Sequence, residues 1–200
     1  MQTIFSTSDV DPRHRFAYWH GVACEKLIRH DAMPLDAAQF KAEMRYGAIG
    51  EIELAQFDTS PLRITRQSHH IADHETENLF LVRQISGRFM LEQSGRSAML
   101  ESGDMVLIES AVPSIGSYLD DSRGLGVKLP RRMLLDHLGD VSDLVARPIR
   151  RTGGAATLLS SLLTTLPSHA GRLDAPTSRI TIDYLLGLLA RAVDRDGADR

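Results

Sequence analysis

The clearest pattern in the chain lies between Asn78 and Glu109. Four short apolar-rich runs, 78–85, 88–93, 96–101 and 105–109, are separated by three Ser-Gly pairs. The pairs Ser86-Gly87, Ser94-Gly95 and Ser102-Gly103 follow one another at eight-residue intervals. Glycine admits the positive φ that a tight turn needs, and a neighbouring serine favours the same bend. Runs of this length between such turns predict an antiparallel meander. A meander must hide its edges, so a sandwich or small barrel is expected, with an interior able to hold a small ligand.

Helical spacing precedes this region. Asp11 can cap a helix, Pro12 suits its first turn, and Phe16, Trp19, Val22, Ala23 and Leu27 recur on one stripe. From Phe40 the period shortens to two, which predicts strands near 40–46, 50–57 and 62–67. A polar, histidine-bearing loop is expected over 68–77, and two more strands near 114–119 and 124–129, about nine in all. After Pro130 the pattern is helical again, starting with a short helix over 131–138 and an irregular stretch over 141–154. Leu158, Leu159, Leu162, Leu163 and Leu166 form a stripe on a second helix, which Pro167 should end. A third starts at Asp174 or Thr177, with Ile180, Tyr184, Leu185, Leu188, Leu189 and Val193 along one side, and the charged tail 194–200 should fray. The two long helices are expected to pair as an antiparallel hairpin. The fold class read from the chain is therefore α+β, mainly β. A helix and barrel occupy 1–130 and a helical appendage 131–200, within one compact unit.

Composition narrows the partners. At 200 residues, 42% hydrophobic and 24% charged, the chain has the make-up of an ordinary soluble domain. Net charge is −3 and no block of like charge stands out, which argues against gripping nucleic acid or an anionic membrane by itself. Cys24 is the single cysteine, so no internal disulfide can form and a reducing, cytoplasmic location is expected. The first twelve residues lack the layout of a signal peptide, and no run approaches the roughly 18 apolar residues of a membrane span.

The order helix, barrel, helical hairpin resembles the N-terminal sensing domain of AraC-type transcriptional regulators, in the AraC-binding-like subfamily. The likeness is carried by Phe16 and Trp19 in the opening helix, by Ile85-Ser86-Gly87 and Gln93 to Arg96, and by Leu100-Glu101-Ser102-Gly103-Asp104-Met105-Val106-Leu107. Pro113 and Val127-Lys128-Leu129-Pro130-Arg131 match as well. The resemblance implies a cupin-like barrel that senses a small, possibly aromatic, effector, dimerises, and reaches DNA only through helix-turn-helix units beyond this chain.

The cupin likeness raises an alternative, a metal-dependent dioxygenase or isomerase. Counting from Gly87 and Gly103 puts the family's glutamate at Phe80 and its later histidine at Ser114, and no HxH lies within 73–77. No metal, cofactor or catalytic set is therefore expected. His69, His70, His74, Glu75 and Glu77 form a polar cluster that reads as a solvated loop, with ligand contact or a zinc-like triad of His70, His74 and Glu77 as the other options. Arg83 shares a strand face with Leu79, Leu81 and Ile85; buried there it needs a partner, either a ligand carboxylate or hydroxyl or a neighbouring side chain. Arg66 poses the same choice. Trp19 fits either the core or a pocket wall, and Cys24 reads as a buried apolar residue. The candidate ligand contacts are thus Trp19, Arg66, His70, Phe80 and Arg83. The candidate dimer seam is Ile180, Tyr184, Leu185 and Leu188.

Overall fold

The computed structural model describes residue 1, residues 3–71 and residues 78–198. Among the described residues, twelve strands and five α-helices follow one another. The first part contains β1 (Thr3–Ser6), α1 (Arg15–Lys26), β2 (Asp31–Pro34), β3 (Ala42–Ile49), β4 (Ile52–Thr59), β5 (Leu62–Arg66) and the single turn α2 (Ser68–Ile71). Then come β6 (Asn78–Ser86), β7 (Phe89–Gln93), β8 (Arg96–Leu100), β9 (Met105–Glu109), β10 (Ser114–Tyr118) and β11 (Ser122–Pro130). The last part holds α3 (Arg131–Leu138), β12 (Pro148–Ile149), α4 (Gly154–His169) and α5 (Ala175–Ala198).

The strands form two antiparallel sheets that face one another. One runs β1-β3-β4-β11-β6-β9-β12 and the other β2-β5-β10-β7-β8. The predicted strands are present, but they do not pair as a meander. Of the four strands β6 to β9, only β7 and β8 pair as sequence neighbours, through a two-residue turn in which Ser94 and Gly95 both take positive φ (53° and 71°). At Ser86-Gly87 the chain crosses from the larger sheet to the smaller, and at Ser102-Gly103 it crosses back, so β6 pairs with β9. Gly87 is required at its crossing: φ is +76°, and a Cβ there would meet Ser122 Oγ at 2.5 Å and the Asp121 carbonyl at 2.6 Å.

The two sheets differ in what covers them. The five-stranded sheet alternates buried and exposed residues, as a sheet with one wet face does. In β6, β9 and β11 burial is nearly continuous, because α4 and α5 pack on the outer face while the inner face lines the interior. Leu79, Leu81 and Arg83 point to the helices; Phe80 and Val82 point inward.

The helical part departs from expectation at two places. Pro167 sits in the last turn of α4 rather than ending it, and the N-terminal ammonium of Met1 donates to the Pro167 carbonyl at 2.8 Å. The charged tail continues α5 as far as Ala198. Asp174 caps α5, its Oδ1 accepting from the Thr177 amide at 2.8 Å, and Asp11 accepts from the Arg13 amide at 3.0 Å. The boundary expected at 130 falls at the end of β11, yet β12 returns to the larger sheet on the free edge of β9. The short strands β1, β2 and β12 have too few residues to show a period.

Candidate effector cavity and a histidine–cysteine cluster

A cavity of about 140 Å³ lies between the sheets. Ala55 and Phe57 of β4, Phe80 and Val82 of β6, and Ile108 of β9 form one wall. The other is built from Ile64 and Arg66 of β5, Phe89 and Leu91 of β7, and Ser114 and Tyr118 of β10. Leu27, Ile28 and His30, from the segment between α1 and β2, complete the lining. Tyr118 packs on Phe89 and Phe57 at ring-centroid distances of 4.6 and 5.4 Å. Gly116 leaves room for this stack, since a Cβ there would lie 2.9 Å from the Phe89 ring. Gly126 differs: the only atom near its hypothetical Cβ is the Ala55 carbonyl at 3.8 Å, so the position opens into the cavity.

The polar groups are few and placed by backbone. Arg66 is buried, with Nε donating to the Ser110 carbonyl at 2.9 Å and Nη1 to the Arg29 carbonyl at 2.5 Å. His30 is 6% exposed; its Nδ1 donates to the Ile28 carbonyl at 2.7 Å, and its buried Nε2 has no hydrogen-bond partner among the described residues. Burial holds the His30 ring neutral, pushing its pKa from 6.5 down to about 4, with smaller contributions from His20, His70 and Arg66. The Tyr118 hydroxyl donates to no described residue, and burial raises its pKa. Gln93 latches the sheets beside the cavity. Its Nε2 donates to the Glu109 carbonyl at 2.9 Å, and its Oε1 accepts from the Glu109 amide at 2.9 Å.

Next to the cavity, α1 presents His20 and Cys24 one turn apart. Cys24 Sγ lies 3.4 Å from His20 Nε2 and 4.0 Å from His30 Nδ1. The three ligand atoms lie within 4.8 Å of one another. Asp31, His69 and His70 form a second, more exposed group of the same kind, with His70 Nε2 3.5 Å from Asp31 Oδ1.

A family model described as an AraC-binding-like domain matches residues 19–193. The chain belongs to that family. The AraC-binding-like domain is also 29% identical over 197 residues to an uncharacterized protein in the nit 5′ region of Bacillus sp. strain OxB-1, covering 96% of this chain and 75% of that protein. Its fold is similar to that of the AraC-like transcriptional activator CuxR, with a TM-score of 0.82 and 18% identity over 96% of this chain and 70% of that one. No helix among the described residues is long and apolar enough to cross a membrane.

The domain divides the sequence-derived candidates. Arg66 and Phe80 line the cavity. Arg83 does not: it points outward under α4, and its Nε donates to Ser160 Oγ at 2.9 Å, so its partner is structural. His70 is held outside the cavity, its Nδ1 accepting from the Gln67 amide at 3.0 Å. Trp19 is core, T-shaped on Phe40 at 5.5 Å and reaching the cavity only through His30, at 6.5 Å. His74, Glu75 and Glu77 lie outside the described residues. Phe80 and Ser114, where the cupin pattern would put a glutamate and a histidine, both face the cavity. Leu185 is fully buried and Leu188 is 9% exposed, so both belong to the chain's own core. Ile180 and Tyr184 are 68% and 52% exposed. Cys24 is half-buried between two imidazoles, not in apolar surroundings. His30 and Tyr118 were missed; an isolated histidine in a helix-breaking segment and a tyrosine in a short strand carry no periodic signal.

Proposed function

We propose that this domain senses a small, single-ring effector held between the two sheets, dimerises, and passes the signal to DNA-binding units beyond this chain in an AraC-type regulator. The observation that carries the reading is the cavity itself. Its 140 Å³ is close to the roughly 150 Å³ of an apolar cavity that takes benzene. The walls are aromatic and aliphatic, which suits a planar ring. The His30 Nε2 lone pair and the Tyr118 hydroxyl supply one acceptor and one donor, so an effector with a hydroxyl or amine on its ring fits. Arg66, oriented by two backbone carbonyls, favours an anionic or carbonyl substituent at its end of the space.

Signalling follows from which segment the effector touches. Leu27, Ile28 and His30 belong to the connection that leaves α1, so occupancy biases how α1 docks on the sheets. An effector shifts that equilibrium by its difference in affinity for the two arrangements. The exposed stripe of Ile180 and Tyr184 on α5, with Leu158 of α4 at 53% exposure, supplies the apolar surface for a second copy.

The enzyme alternative is disfavoured by chemistry at the wall. Phe80 and Ser114 do not offer the carboxylate and imidazole that the cupin pattern requires there. A thermal-shift panel of phenol, benzylamine and benzoate, with two-ring analogues as controls, tests the sensing role. Single-ring probes should raise the melting temperature by mass action and the larger rings should not. A flat response to all three single-ring probes would count against it.

A further inference from the structure

We infer that His20, Cys24 and His30 form a binding site for a zinc-class cation, separate from the effector cavity but sharing one of its lining residues. The cluster is already close to ligand geometry. Sγ stands 3.4 Å from His20 Nε2 and 4.0 Å from His30 Nδ1. A tetrahedral zinc with bonds of about 2.3 Å to sulfur and 2.0 Å to nitrogen holds its ligand atoms about 3.5 Å apart. One thiolate and two imidazoles suit zinc and its neighbours, not magnesium or calcium. Three protein ligands leave the fourth position for water or a ligand atom.

The chain builds the cluster deliberately. His20 and Cys24 are four residues apart on α1 and share a face. His30 returns from the segment after the helix, which Arg66 holds by the Arg29 carbonyl. His30 is 6% exposed, which shields that side of the cluster from water; its Nε2, which the ion would not occupy, has no partner among the described residues. On ligation through Nδ1, the proton now donated to the Ile28 carbonyl moves to Nε2, and the ring stays neutral. His20 Nε2 likewise gives up the hydrogen bond it donates to the His30 carbonyl, 2.8 Å, and on ligation through Nε2 its proton moves to Nδ1. The Cys24 thiol releases its proton to solvent, so one proton leaves per ion bound. The bound ion ties α1 to the cavity-lining segment, and the change of His30 tautomer turns an acceptor into a donor.

The test uses the whole chain stripped of metal with a chelator and titrated with Co²⁺, then Zn²⁺. One equivalent of Co²⁺ should bind with a thiolate-to-cobalt charge-transfer band, and Zn²⁺ should displace it and raise the melting temperature. Cys24→Ser should abolish the band, and His20→Ala should weaken binding by at least about tenfold. The His69→Ala/His70→Ala double variant should change neither. Absence of the band, or binding that survives Cys24→Ser and is lost in the double variant, overturns the assignment. A readout on the unaltered protein covers the case in which a variant fails to fold. Cys24 is the sole thiol, so zinc must slow its alkylation, and an unchanged rate overturns the site as well.

Discussion

His30 sets a pH dependence that can be worked out from its surroundings. The folded protein holds the ring neutral, with the pKa pushed from 6.5 down to about 4. A group depressed on folding contributes its stability above the unfolded value and loses it as pH falls toward the folded one. Metal-stripped protein should therefore lose about 2 kcal/mol of stability between pH 7 and pH 5 from this group. Denaturant titrations at the two pH values check it, and His30→Gln should flatten the difference; an equal pH dependence in that variant would contradict the assignment. Arg83 gives a second residue-level prediction. It is 9% exposed and bound to Ser160, with burial lowering its pKa and Arg151 adding to the effect. Arg83→Ala should cost about 1–3 kcal/mol and leave probe binding in the cavity unchanged, since the side chain lies on the other face of β6. Strand alternation showed that Phe80 and Arg83 face opposite ways. It did not show which face was the interior, because both faces of the larger sheet are covered. That is why the sequence did not separate Phe80, which lines the cavity, from Arg83, which lies under α4.

The Ser-Gly pairs carry the corresponding lesson for elements. All three share composition and spacing, but Ser94-Gly95 makes a hairpin while the other two carry the chain between sheets. Local sequence fixes the bend. The destination of the next strand depends on which partner edge is free, and β6 is taken by β9 and β11. Alanine substitutions separate the two kinds of turn. Gly95→Ala meets nothing within 4 Å, so only its φ of +71° resists, for about 1 kcal/mol. Gly87→Ala adds clashes with Ser122 and the Asp121 backbone at 2.5 and 2.6 Å and should cost several times more. Comparing the two by thermal denaturation checks the crossing; equal losses would contradict it. The helix caps at Asp11 and Asp174 were readable because capping is local chemistry. Pro167 was read as the stop because proline lacks the amide donor, but in the last turn of α4 that removes a single hydrogen bond and the helix runs on to His169.

At the scale of the whole molecule, the apolar stripe on the last helix was legible as a stripe but not as two faces. Leu185 and Leu188 complete the chain's own core, which leaves Ile180 and Tyr184 outside. If that remainder is the seam between copies, Ile180→Glu with Tyr184→Glu should turn a dimer into a folded monomer in sedimentation experiments. A wild-type chain already monomeric at high concentration would remove that part of the proposal. The cavity depends on both sheets, on the α1–β2 connection and on a glycine facing empty space, so the turn pattern pointed to an interior but not to the residues that line it. Gly126 offers the sharpest probe of whether that space is what the domain uses. Calorimetric titration of the single-ring probes into wild-type protein and into Gly126→Val should give one-to-one binding in the first and none in the second, with the variant still folded and no less stable. Equal binding by both proteins would contradict an effector site between the sheets.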